Sequence, residues 1–306
     1  MGVPQNGIFA FGTSAHGYFE LDLAAGAVPA AVVAAVADHL LSETSMQAVN
    51  LVAGFRPELW AEVAPGRMPA EVTGFTEPVV GPDGFILPAT QHDLGVWISG
   101  PAPDAVFDAG VEIVTALAGK AVLVAETMGW SYHRDYDLTG FIDGTENPKQ
   151  SEAPSRVLVA PGEPGAGGSV LLLQQWAHDT ADWMGLGVTE QEAVIGRTKA
   201  DSVELDDRPS TSHAARTDQD EYGTILRRNT AYGTVLDHGT MFVGFSATRA
   251  TLHAMLRSMA GLDGPRDALT RYTRPLSGAY YFVPSVDDLD AVASDAADHS
   301  PSAAGA

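Results

Sequence analysis

Hydrophobic and polar positions repeat along this chain with two periods. In HGYFELDL (16–23), Tyr18, Glu20 and Asp22 alternate with Phe19, Leu21 and Leu23, which is the two-residue period of a half-buried strand. AVPAAVVAAVADHLL (27–41) then changes period. Pro29 suits a first helical turn, and Val33, Val36 and Leu40 fall on one helix face. VNLVAGF (49–55) and LGVWISG (94–100) predict two further strands. PAPDAVFDAGVEIVTALAG (101–119) predicts a helix with Pro103 near its start and Gly119 at its stop. AVLVAE (121–126) closes the set as a fourth strand. The order is β-α-β-β-α-β.

The second half reads the same way. GSVLLLQQW (168–176) predicts a strand. VTEQEAVIG (188–196) predicts a helix, with Thr189 and Glu192 at capping-box spacing and Gly196 as the stop. GTILRRN (223–229) and GTMFVGFS (239–246) predict two strands. TRATLHAMLRSMAG (248–261) carries Leu252, Met255, Leu256 and Met259 on one helical stripe, and GAYYFVP (278–284) predicts the last strand. This is again β-α-β-β-α-β, the ferredoxin-like order. The expected class is therefore α+β, with two ferredoxin-like domains. Their antiparallel sheets are expected to face each other and enclose something apolar, in a dimeric α/β-barrel-like arrangement. The boundary is placed between 1–148 and 149–306, and the 306-residue length suits two domains at roughly 150 residues each. Residues 127–167, rich in Gly, Pro, Asp and Ser, are too long for an ordinary connection. The acidic tail, 285–306, holds five Asp and no Lys or Arg, and is expected to fray near its end.

Composition then narrows the function. Hydrophobic residues make up 45% of the chain, enough for a large core. Lys and Arg number 17 against 39 Asp and Glu, a net charge of -22 that repels nucleic acid and anionic lipid. There is no cysteine, so disulfides, thiolate metal sites, iron–sulfur clusters and a Cys nucleophile are excluded. Any haem here needs a nitrogen or oxygen ligand. No run of 18 apolar residues and no leader pattern are visible, so a cytoplasmic protein is expected. GEPGAGGS (162–169) lacks the Lys of a phosphate-binding loop, and HExxH and GxSxG are absent.

The densest polar cluster is HRDYDLTGFIDGTENP (133–148). By its residues alone it allows a divalent metal on His133, Asp135, Asp137 and Asp143, a positioned acid–base at Asp143, or a polar loop with a tight Asp-Gly turn. Nine histidines offer imidazole, at 16, 39, 92, 133, 178, 213, 238, 253 and 299. Five tryptophans and eight tyrosines could relay oxidising equivalents, although most such residues belong to cores.

GFIDGTENP carries the GxxDG signature and resembles the dye-decolorizing peroxidases, in their bacterial B-type form. PQNGIFAFGTSAHGYFELDL (4–23), EQEAVIGRTKADSVELDD (190–207), TSHAAR (211–216), ILRRNTAYG (225–233) and GTMFVGFS (239–246) look like the same family. The resemblance implies two ferredoxin-like domains with haem b between them. It implies a peroxidase that uses hydrogen peroxide to oxidise phenolic or dye-like donors, or Mn(II), through a ferryl intermediate. His213 falls at the family's proximal, iron-ligating position, Asp143 at the distal aspartate and Arg227 at the distal arginine, with Asn229 two residues on along the same strand face. Asp267 is the expected carboxylate partner of His213. Gly144, Thr145, Glu146 and Asn147 are expected around the haem edge, and Arg197 or Lys199 near a propionate. Arg228 is expected to point away, as a structural or propionate-facing residue. A haem-handling protein for storage, delivery or iron release is the alternative, since it needs His213 but not Asp143 and Arg227. The resemblance also implies a homo-oligomer. The tail lacks the Gly/Ser/Leu/Ile peptide that directs some relatives into encapsulin shells, which makes encapsulation doubtful.

Overall fold

A computed structural model describes residues 2–41 and 49–298. The first half runs β1 (Ala15–Leu23), α1 (Pro29–Leu41), β2 (Asn50–Phe55), α2 (Pro57–Val63), a hairpin of β3 (Val79–Val80) and β4 (Ile86–Leu87), β5 (Leu94–Gly100), α3 (Pro103–Ala116) and β6 (Ala121–Trp130). The short α4 (Ala153–Val157) lies in the connection to the second half. Next come β7 (Ser169–His178), α5 (Thr180–Gly185), α6 (Val188–Ile195), α7 (His213–Arg216) and α8 (Gln219–Tyr222). The chain ends with β8 (Leu226–Arg227), β9 (Thr230–Gly233), β10 (His238–Ser246), α9 (Arg249–Met259), β11 (Thr273–Pro275), β12 (Ala279–Val283) and α10 (Val286–Asp298).

Strand order carries the duplication. The first half pairs as β2-β5-β1-β6 and the second as β9-β10-β7-β12, so each reads second-third-first-fourth with antiparallel neighbours. Two seams join the sheets into a closed ring. One is Phe55 opposite Phe282, and the other is Gly129 and Trp130 opposite Tyr232 and Ala231. Closure removes exposed strand edges at both joins.

Alternation along the strands sorts their side chains onto two faces. Phe19, Val96 and Ile98 point outward and meet Val32, Val33 and Val36 of α1 and Ile113 of α3. Tyr18, Trp97, Leu171, Leu173, Val243, Phe245 and Tyr281 point inward and pack together. The space between the sheets is thus filled by side chains. This corrects the expectation that the facing sheets enclose the apolar group: the large cavity lies on the outer face of the second sheet.

Two local readings also change. Of the strand expected over 223–229 only β8 forms, and β9 follows beyond Arg228 and Asn229. Helix α6 begins at Val188, and Glu190, not Glu192, reaches back to the Gly187 N–H at 2.9 Å. The acidic tail is helical through 298, with Leu289 and Val292 of α10 buried against the α1 layer, and its end, where fraying is expected, is not among these residues. Residues 299–306 lie outside the described residues.

Candidate active site

The cavity holds about 1230 Å³ of non-protein space, part of it open to solvent. Its floor is the outer face of the second sheet, where Leu172, Gln174, Trp176 and His178 alternate along β7 and Thr240 and Phe242 along β10. Leu252, Met255, Leu256 and Met259 of α9 form an apolar side, as their stripe in the sequence anticipates.

One wall is built on α7. Ser212 caps this short helix by accepting from the Ala215 N–H, and His213 follows as its first residue. His213 Nδ1 lies 2.7 Å from Asp267 Oδ2. Asp267 is fully buried, and its other oxygen accepts from the Leu269 N–H at 2.9 Å, so the carboxylate is fixed by backbone. That geometry makes Nδ1 the protonated nitrogen and leaves Nε2 as the lone-pair donor.

The GxxDG loop and β8 build the other wall. Gly140 (φ 81°) and Gly144 (φ 71°) take left-handed turns on either side of Asp143. The Gly144 N–H donates to Asp143 Oδ1 at 2.8 Å, and Arg227 Nη2 lies 3.6 Å from the same oxygen. Arg227 and Asn229 both line the cavity. Arg228 between them turns inward, donates to the carbonyls of Ile8 (3.0 Å) and Ala10 (2.6 Å), and stacks over Trp97 and Phe11. It is structural, and the propionate-facing reading does not hold.

The four residues after Asp143 divide. Thr145 and Glu146 line the cavity, and Glu146 is ion-paired with Arg197 at its rim. Gly144 and Asn147 line the adjoining recess, to which Asp143, Arg227 and Asn229 also belong. Asn147 also clamps the β8 backbone: its Oδ1 accepts from the Arg227 N–H at 2.8 Å, and its Nδ2 donates to the Arg227 carbonyl at 2.9 Å. A side chain at Gly144 would strike Asn147 Nδ2 at 2.7 Å. Lys199 is bound to Gln191 Oε1 at 2.6 Å and is not among the cavity residues. Among the described residues no three His, Cys, Asp or Glu gather as a metal cluster, so His133, Asp135 and Asp137 do not form the divalent site considered above.

Asp137 has a different place. It lines the cavity, and its Oδ1 accepts from both the N–H (2.8 Å) and the hydroxyl of Thr139. Burial, and then the charge of Asp143, push its carboxyl up to about 6. Sequence offered it only as a metal ligand. The Asp-x-Thr spacing, which makes a local side-chain turn, was the available signal.

The residues present fit a haem. The cavity pairs apolar walls with a guanidinium at its rim, and one imidazole nitrogen is free to bind a metal. Two polar atoms, Gln174 Nε2 and Arg227 Nε, are buried on its lining with no hydrogen-bond partner in the protein.

The chain is similar to known proteins in sequence and in fold. The family model for Dyp-type peroxidase, C-terminal, matches residues 134–288. The dye-decolorizing peroxidase of Mycolicibacterium paratuberculosis (strain ATCC BAA-968 / K-10) is 36% identical over 253 residues, 79% of this chain and 71% of that protein. A variant of DypB from Rhodococcus jostii RHA1, solved in complex with heme, is 32% identical with a TM-score of 0.85, covering 95% of this chain and 99% of that one. The deferrochelatase of Yersinia pestis matches more weakly, at 29% over half of this chain and 43% of that protein. Family model, relative and solved structure converge on one assignment: this chain belongs to the dye-decolorizing peroxidase family.

Proposed function

We propose that this chain is a haem b peroxidase in which His213 would hold the iron and Asp143 and Arg227 act on hydrogen peroxide. When bound, haem b supplies a redox-active iron that splits the O–O bond and draws electrons one at a time from donors. His213 offers Nε2 to the metal. Asp267 holds the opposite N–H, which fixes the ring and makes the imidazole a stronger donor. Asp143 takes the proton from the inner peroxide oxygen and returns it to the outer one, which leaves as water. Its known contacts fall on Oδ1, so Oδ2 is the oxygen that moves the proton. Arg227 is always charged and stabilises the negative charge growing on the leaving oxygen. Asn229 is held from behind, accepting from the Val243 N–H at 3.3 Å, and helps bind peroxide. Arg197, on the cavity lining, would hold a carboxylate of the cofactor. Phenols, dyes and Mn(II) are the donor classes, and the charge of -22 favours cationic ones.

The observation that carries this reading is the His213–Asp267 pair in the same cavity as the Asp143–Arg227 pair. A haem-handling role needs only the first pair. Converting Asp143→Ala and Arg227→Leu together is expected to lower peroxide turnover by at least ~100-fold while the haem absorption band persists. Unchanged turnover would point to haem handling instead.

A further inference from the structure

Three carboxylates sit on the GxxDG side of the cavity: Glu146 is ion-paired with Arg197, and the surroundings of the other two, Asp143 and Asp137, differ. Asp143 has the Arg227 guanidinium at 3.6 Å and the Gly144 N–H at 2.8 Å. Asp137 has no cation within ion-pair range among the described contacts, only the hydroxyl and N–H of Thr139, both on Oδ1. Its backbone is pinned as well: its N–H donates to the Phe141 carbonyl and its carbonyl accepts from the Gly140 N–H, both at 3.0 Å. The Thr139 carbonyl in turn accepts from the Trp183 indole at 2.9 Å, which ties this turn to the protein interior. Asp137 is therefore a rigid carboxyl whose open side is the cavity. Where two neighbouring carboxyls sit in unlike environments, one keeps its charge and the other keeps its proton.

We propose that Asp137 is the proton-holding member of this pair. Asp143 is paired with Arg227 at 3.6 Å, while Asp137 carries a proton, releases it into the cavity as peroxide oxygen is reduced, and regains it from solvent. The proposal rests on the peroxidase reading above. The proton balance gives such a group a task. Reducing one peroxide to two waters takes two electrons and two protons. Phenols bring both, but donors that yield only electrons leave the protein to supply the protons. Asp143 only moves the peroxide's own proton from one oxygen to the other, so it adds none.

The charged groups around Asp137 agree with this assignment. Burial and the Asp143 charge raise its proton affinity, placing it at about 6. The Thr139 bonds and the more distant His213 oppose that rise. Glu146 and Arg197, on the same cavity, are paired with each other. Asp137 therefore holds its proton below about pH 6 and loses it above.

The test is pH-difference infrared spectroscopy of the haem-loaded full chain. A protonated carboxyl C=O band is expected that titrates near 6 in the wild type and is lost in Asp137→Asn. Glu20 is the other buried carboxyl whose proton affinity is raised, and Glu20→Gln identifies its band. Asp143→Asn should keep the Asp137 band and move its titration to lower pH, because the repelling charge is gone. Thr139→Val removes the hydroxyl bond and should move the titration to higher pH. A merely structural Asp137 would respond to neither change. The proposal is overturned if the band survives Asp137→Asn, or if both neighbouring variants leave its titration unmoved. Should Asp137→Asn fail to fold, those two variants decide. The haem absorption band on loading reports the peroxidase reading separately, so either idea can fail with the other intact.

Discussion

The two halves share one strand order, yet only one of them makes a site. The outer face of the first sheet is sealed. Val32, Val33, Val36 and Ala37 of α1 have no exposed surface, and α3 adds Val106 and Ile113, also fully buried. Gly110 lets α3 sit directly on the sheet, since a Cβ there would meet the Phe19 ring at 2.7 Å. In the second half the position of α1 is taken by the 179–225 excursion. Its four helices have 6, 8, 4 and 4 residues, and none lies along the sheet as α1 does. Of the helices of this half only α9 packs closely on that face; Val72, Phe75, Val79 and Leu87 of the first half cover another part, and the uncovered remainder is the cavity. A long apolar crossover helix makes core. A broken one holds polar side chains away from the sheet and leaves room for a cofactor.

That contrast can be broken from both sides. Ile113→Ala opens a hole in the sealed half and is expected to cost about 2–5 kcal/mol of unfolding free energy, read by urea denaturation, with haem binding unchanged. Leu256→Trp fills the open half and is expected to abolish haem binding while costing little stability, because the added ring enters empty space. If instead Ile113→Ala weakens haem binding and Leu256→Trp does not, the division into sealed and open faces is wrong.

A smaller effect sharpens the assignment of the α7 wall. Asp267→Asn keeps the shape but removes the charge behind His213. It is expected to lower haem affinity or turnover by about 10- to 100-fold, with a rise in the iron reduction potential as the imidazole becomes a weaker donor. An unchanged potential would show that the 2.7 Å contact has no electronic consequence.

Much of this was legible in the sequence, because period and motif are local signals. The strand LGVWISG appears with the same bounds, and the α9 stripe faces the cavity it lines. The GxxDG and SHAAR motifs led to residues that the fold brings to one cavity from positions 70 residues apart or more. What escaped depends on distant partners. Alternation shows that a strand has two faces, but not which face a helix will fail to cover. Ring closure rests on seams of one and two residue pairs, which leave no mark in composition. Asn147 binds a backbone 80 residues away, so its clamp could not be read from its neighbours. The tail's apolar pair, Leu289 and Val292, is hidden among aspartates, and only contact with the α1 layer gives it meaning.

The most direct measurement is a haem titration of the purified chain, wild type against His213→Ala, followed by one equivalent of peroxide. The wild type should bind one haem with a nitrogen-ligated ferric spectrum that peroxide converts within the mixing time. His213→Ala should lose that spectrum and its conversion. A wild type that binds no haem, or an alanine variant whose spectrum and conversion match it, would contradict the account.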